Sequence, residues 1–140
     1  MRRRLGLWLG AAFLSAGGAA LARRGRITPV AVSGHSMEPM LHDGDWLLVD
    51  RSPDTLEPTD IVVARDPRAT GRLIVKRVGE VGADSKLVLT SDHPAHLDEL
   101  IPPVANTDII GRVVFRYWPA RRIGFVQRTE RAPRESGAPR

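Results

Sequence analysis

The spacing of apolar residues changes character once along the chain. Residues 5–22 contain no charged side chain. As a helix, eighteen residues span about 27 Å, enough to cross a hydrocarbon core. Gly6, Gly10, Gly17 and Gly18 would weaken a water-exposed helix but are tolerated within a membrane. After Arg26 the period becomes two and β-branched residues dominate. Extended segments are predicted over 28–32, 46–51, 60–65, 72–81, 86–90 and 109–118, separated by Gly, Pro and Asp. In the fourth, Leu73, Val75 and Arg77 share one face, and Ile74, Lys76 and Val78 share the other. Gly82-Ala83-Asp84-Ser85 reads as the turn of a hairpin joining the fourth and fifth. Residues 91–106, with Pro94, Pro102 and Pro103, read as irregular. The fold expected is mainly β, a barrel or folded sheet, preceded by one N-terminal transmembrane helix.

Three regions follow from this pattern. Residues 1–26 form a membrane anchor with basic flanks, 27–120 a β-rich domain, and 121–140 a basic tail without fixed structure. Charge, Pro, Gly and Ala dominate the tail most strongly over 128–140. A cleaved signal peptide is the rival reading of the first region: Arg2, Arg3 and Arg4 would precede its apolar stretch, and Ala20-Leu21-Ala22 fits a cleavage site. The apolar stretch is long for that purpose, which favours a retained anchor. Three arginines flank each end (Arg2, Arg3 and Arg4; Arg23, Arg24 and Arg26), so charge does not set its orientation.

Composition narrows the partners. The chain has 140 residues, room for one modest core, and a net charge of +5. Arg2, Arg3, Arg4, Arg23, Arg24 and Arg26 bracket the apolar segment, and Arg121, Arg122, Arg128, Arg131, Arg134 and Arg140 lie in the C-terminal part, a placement that suits a lipid bilayer. Aromatic residues are few and not interleaved with basic ones, so a nucleic-acid partner is not expected. With no cysteine, disulfides and thiolate metal sites are excluded.

The candidate chemistry starts at Ser36. It follows Gly34 and His35 and precedes Met37 and Pro39, on a constrained loop between two extended segments. A nucleophile needs a held hydroxyl with backbone N–H groups beside it. Lys76 is the partner, because its strand face otherwise carries Ile74 and Val78. Burial disfavours an ammonium, as would Arg77 beside it, and a neutral amine can take a proton from serine. The strand Pro29-Val30-Ala31-Val32 runs into this loop and offers pairing to an extended substrate, so Val30, Ala31, Val32, Met37 and Pro39 are the expected substrate contacts.

Taken together these pieces resemble the type I signal peptidase family of serine proteases. Ser36-Met37-Glu38-Pro39-Met40-Leu41 matches its nucleophile box, and Val75-Lys76-Arg77-Val78 its base box. Gly44-Asp45 before a strand and Asp60-Ile61-Val62-Val63 ending in Asp66-Pro67 also match. The resemblance covers residues 5–120. It implies a β-rich fold, Ser36 as nucleophile, Lys76 as general base, no cofactor, and removal of a signal or pro-peptide from a precursor protein after small residues. It also implies a single-pass protein of the cell membrane with an extracytoplasmic catalytic domain. The compact form is similar to the small proteases that mature nickel-type superoxide dismutase, or to the organelle inner-membrane peptidases. The chain departs from the family at Gly34, where no hydroxyl is available to the oxyanion hole. It departs again at Ser91-Asp92-His93-Pro94-Ala95-His96-Leu97-Asp98, where only Asp92 matches and the serine that would hold the lysine is unplaced.

Other readings are weaker. His93 and His96 with Asp92 and Asp98 lack a helical metal-binding frame, and Pro94 separates the histidines, so no metal is expected. His35 adjoins Ser36 and would point away from it on an extended segment. Asp45 and Asp60 read as turn-fixing residues at strand starts. A LexA-like self-cleaving regulator uses the same dyad, but no Ala-Gly cleavage site lies between Ala22 and Ser36. A catalytically inactive, membrane-anchored β-domain is the third possibility.

Overall fold

The computed structural model describes residues 27–126. The predicted membrane helix over 5–22 lies outside them. Among the described residues no helix is long and apolar enough to cross a membrane.

The described chain is a seven-stranded antiparallel sheet. Its strands are β1 (Ile27–Ala31), β2 (Trp46–Asp50), β3 (Ile61–Arg65), β4 (Leu73–Val81), β5 (Leu87–Thr90), β6 (Ile109–Trp118) and β7 (Gly124–Phe125). The pairing order is β1-β2-β6-β3-β4-β5, with β7 added to β6. That path does not close, so the sheet is folded rather than a barrel. The six predicted strands are all present within a residue or two, and β4 and β5 pair as the expected hairpin. The sheet also continues past the expected boundary at residue 120, because β7 pairs through Phe115 and Arg116.

Strand β3 explains the core. Ile61, Val62, Val63 and Ala64 are all buried, the continuous apolar run of a strand covered on both faces. Ile61 and Val63 join a cluster with Val32, Met37, Leu41, Leu47, Val49 and Val113. Val62 and Ala64 join another with Ile74, Val78, Leu87, Leu89 and Val104. The loop after β1 is thus tied into the first cluster through Met37 and Leu41. On β4 the predicted faces are observed: Ile74, Lys76 and Val78 are buried, while Leu73 is exposed and Val75 and Arg77 are half-buried.

Gly111 occupies the tightest point of the sheet. It pairs with Val63 on β3, and a Cβ added to it would meet the Asp50 carbonyl and the Val49 side chain. Backbone cannot yield there without moving β2. Gly111→Ala is therefore expected to lower stability by about 1–3 kcal/mol, an overpacking penalty. Thermal denaturation checks this, and a variant melting with the wild type would contradict it.

Candidate active site

The loop carrying Ser36 is held from three sides. Val32 and Asp45 pair through the Val32 N–H and the Asp45 carbonyl at 2.8 Å, and the Gly44 N–H returns a bond to the Val32 carbonyl at 2.9 Å. Gly34 adopts φ +96°, a conformation that glycine enters without steric penalty, and its amide donates to Asp43 Oδ1 at 2.8 Å. The Ser36 carbonyl accepts from the amides of both Asp92 and His93 at 3.0 Å. Met37, one residue later, is 2% exposed and anchors the loop in the core. Among the described residues, the Ser36 amide and hydroxyl have no hydrogen-bond partner. Both are therefore free to engage a substrate.

Lys76 reaches the same cleft from β4. The cleft has a volume of about 450 Å³. Val30, Ala31 and Val32 line one side, Ile74, Val75 and Lys76 another, and Gly34, His35, Ser36 and Met37 also contribute. Pro39 does not join them. It lines a separate cavity with Met40, Arg77 and Asp92. Of the expected substrate contacts, Val30, Ala31, Val32 and Met37 line the cleft with Ser36, whereas Pro39 lines the other cavity.

Two residues that the sequence reading left unplaced complete the surroundings of Lys76. Its Nζ donates to Ser91 Oγ at 2.8 Å and to Glu99 Oε2 at 2.8 Å. Ser91, at the end of β5, is the hydroxyl that holds the lysine. Asp92 beside it accepts two bonds from Arg77, both at 2.6 Å, while Arg77 also donates to the Thr59 carbonyl at 2.7 Å. Three consecutive residues therefore do linked work: Ser91 orients Lys76, Asp92 fixes the strand beside it, and the Asp92 and His93 amides grip the Ser36 carbonyl. The signal was the hydroxyl next to the matched Asp92. Arg77 is paired with Asp92, so it is not the bare neighbouring charge expected to destabilise the ammonium.

Glu99 carried no sequence signal. It lies in the irregular segment and bridges Lys76 to Arg68, whose NH1 donates to Oε1 at 2.7 Å. Bonds from Lys76 and then Arg68 outweigh burial and hold its carboxyl down to about 2. Arg68 is itself held by Asp66, buried at the β3–β4 turn, through Nε at 2.9 Å.

The histidines have other partners. His35 Nδ1 lies 2.7 Å from Glu38 Oε1, and that hydrogen bond raises its pKa. His93 Nδ1 accepts from the Ala95 amide and caps a short turn. Among the described residues no group of three or more His, Cys, Asp or Glu is placed to hold a metal ion. Asp45 and Asp60 do accept turn amides, from His42 at 3.0 Å and Glu57 at 2.9 Å.

A serine with a free amide thus shares a cleft with a buried, hydroxyl-held lysine, beneath two strand edges. No curated protein matches the chain. The family model described as peptidase S24-like matches residues 13–114, well over half the chain and inclusive of Ser36, Lys76, Ser91 and Glu99. It supports a serine-peptidase-like fold without singling out the type I signal peptidases. On that match the chain belongs to the peptidase S24-like family.

Proposed function

We propose that this protein is a membrane-anchored serine endopeptidase that cleaves a separate precursor protein after small residues, with Ser36 as nucleophile and Lys76 as general base. The observation that carries the reading is the convergence of Ser36 and Lys76 on one cleft between two unpaired strand edges. β1 ends the sheet. The 73–76 part of β4 pairs with β3 on one side only, since β5 begins pairing at Arg77. An extended peptide can add to either edge, as main-chain recognition requires.

In the proposed reaction, neutral Lys76 takes the Ser36 hydroxyl proton as Oγ attacks the scissile carbonyl carbon. The Ser36 amide donates to the developing oxyanion. Lys76 then returns the proton to the leaving amine as the C–N bond breaks. Water, deprotonated by Lys76, then attacks the acyl carbon, and Lys76 returns that proton to Ser36 Oγ as the ester bond breaks, freeing the serine.

The family match keeps a second reading in play, because S24-like proteins include self-cleaving repressors as well as signal peptidases. Incubating purified full-length protein alone, and then with a quenched-fluorescent peptide library, separates them. Cleavage of peptides with the chain intact supports the precursor protease. Fragmentation of the chain itself, with no peptide cleaved, overturns it in favour of self-cleavage.

Specificity follows from the walls. Val30 and Ala31, together with the buried Val32, Met37 and Ile74, give the cleft apolar walls. Peptides with a small residue at the cleavage position, and a small or aliphatic residue two before it, are expected to dominate the products. Preferred cleavage after basic or aromatic residues would contradict this.

A further inference from the structure

The arrangement around Lys76 is that of an ion pair. A general base must be uncharged, yet Lys76 donates to the Glu99 carboxylate at 2.8 Å. The geometry points to Glu99 as a positioning residue that holds Lys76 as an ammonium in the empty cleft, and whose displacement by an entering peptide releases the lysine to act as base. This inference rests on the Ser36–Lys76 reading above.

Every group facing Lys76 bears on it. Val62 pairs with it across β3 and contributes no charge. Ser91 contributes a neutral hydroxyl 2.8 Å away. Arg77, the next residue on β4, is matched by Asp92. His35, which is paired with Glu38, lines the same cleft, as do Arg68, Arg72 and His96. Arg68 shares Glu99, and both arginines lie near the buried Asp66. Glu99 is therefore the carboxylate in direct contact with the amine. Its strongly depressed pKa keeps it ionised across any working pH, so protonation does not release it. Movement can, because Glu99 is only partly covered, at 28% side-chain exposure, and lies outside any strand, between the short turn at Pro94–His96 and the Leu87–Val104 bridge. Glu99 and Ser36 line one cleft, so a peptide bound against Ser36 competes for the space Glu99 fills. Once the carboxylate leaves, the buried ammonium has lost its counter-charge, and its proton can pass to solvent as the peptide settles.

The test follows Lys76 itself and the reaction in parallel. The Lys76 titration is read by NMR of its side chain in full-length Ser36→Ala protein, with and without Glu99→Gln. Removing an opposite charge at this distance is expected to lower the midpoint by at least about one pH unit. The alkaline limb of kcat/KM in Glu99→Gln should move down with it. The probe is a quenched-fluorescent peptide with alanine at the cleavage position and two residues before it. Glu99→Asp, which retains the charge, should restore most of the wild-type midpoint. A merely structural role predicts the reverse order, since Gln is nearer to Glu in shape. An unmoved Lys76 midpoint in Glu99→Gln overturns the role of Glu99 alone. Should Glu99→Gln not fold, a Glu99→Asp midpoint lowered by more than one unit overturns it as well. Absence of cleavage by the wild type at every pH overturns the catalytic reading, and with it this inference.

Discussion

Replacing Ser36 or Lys76 is expected to remove nearly all peptidase activity while leaving the domain folded. A positioned general base contributes on the order of 10²–10⁴-fold. Ser36→Ala and Lys76→Ala should each lower kcat/KM by about 10³-fold or more. The double variant should be no worse than either single one, because a nucleophile without its base and a base without its nucleophile fail at the same step. Folding should survive for reasons visible at each position. Ser36 is anchored by its neighbours: Met37 in the core and the backbone bonds from Asp92 and His93. Removal of Lys76 leaves Glu99 paired with Arg68, so no carboxylate is stranded. The measurement is steady-state kinetics on the purified full-length variants, with circular dichroism to establish folding. Full activity in folded Lys76→Ala would end the assignment of the base. A Lys76→Ala effect that multiplies with that of Ser36→Ala would show the two acting at separate steps.

Asp45 should be the largest single contributor to stability among the charged residues of the sheet. Its carboxylate is fully buried and accepts from Arg122 at 2.5 Å, from the His42 amide at 3.0 Å and from Arg116 at 3.2 Å. Burial alone would raise its pKa. The Arg122 bond, the amide and the Arg116 bond outweigh that, and the carboxyl is held below its ordinary value. Arg116 also donates to the Met40 carbonyl at 2.8 Å, so the network ties β6 to the end of the nucleophile loop. Removing one partner of a buried charge network costs about 3–5 kcal/mol, and the partial exposure of both arginines places Asp45→Asn near the lower figure. For a domain of this size that is a fall of roughly 10–25 °C in Tm. The pH dependence has a definite sign. A depressed carboxyl contributes stability above its unfolded value, near 4, and loses it as pH falls through the folded value. The gap in Tm between wild type and Asp45→Asn should therefore narrow below about pH 4. A gap that is constant across pH 3–7, or a Tm within two degrees of wild type, would show that the ion network is not what holds this corner.

Much of the fold was legible because strand patterning is local. Alternation along 72–81 placed Lys76 on the buried face with Ile74 and Val78, and the unbroken apolar run at 61–64 belongs to a strand covered on both sides. The Gly34 and Pro39 signals marked a constrained loop, and the turn roles of Asp45 and Asp60 followed from their positions before strands. Local patterning also set the limit. Strand β7 is two residues long and carries no period of its own, so its pairing with Phe115 and Arg116 had no signature along the chain.

The chain alone, through side-chain type and a period of two, determined that a serine on a turn and a lysine on a buried strand face would both belong to one small β-domain. Tertiary structure decided what those residues meet. Ser91 and Asp92 become meaningful only when the end of β5 lies against β4, and the backbone beside them grips the Ser36 carbonyl across 56 residues of sequence. Pro39 turns into another cavity although it stands three residues from Ser36. Glu99 reaches Lys76 from a segment without periodicity, where neither hydropathy nor spacing says which way a carboxylate points. Periodicity reports which face of an element is buried; it does not report which distant group will share that burial, because that depends on how the sheet folds and where its irregular connections cross.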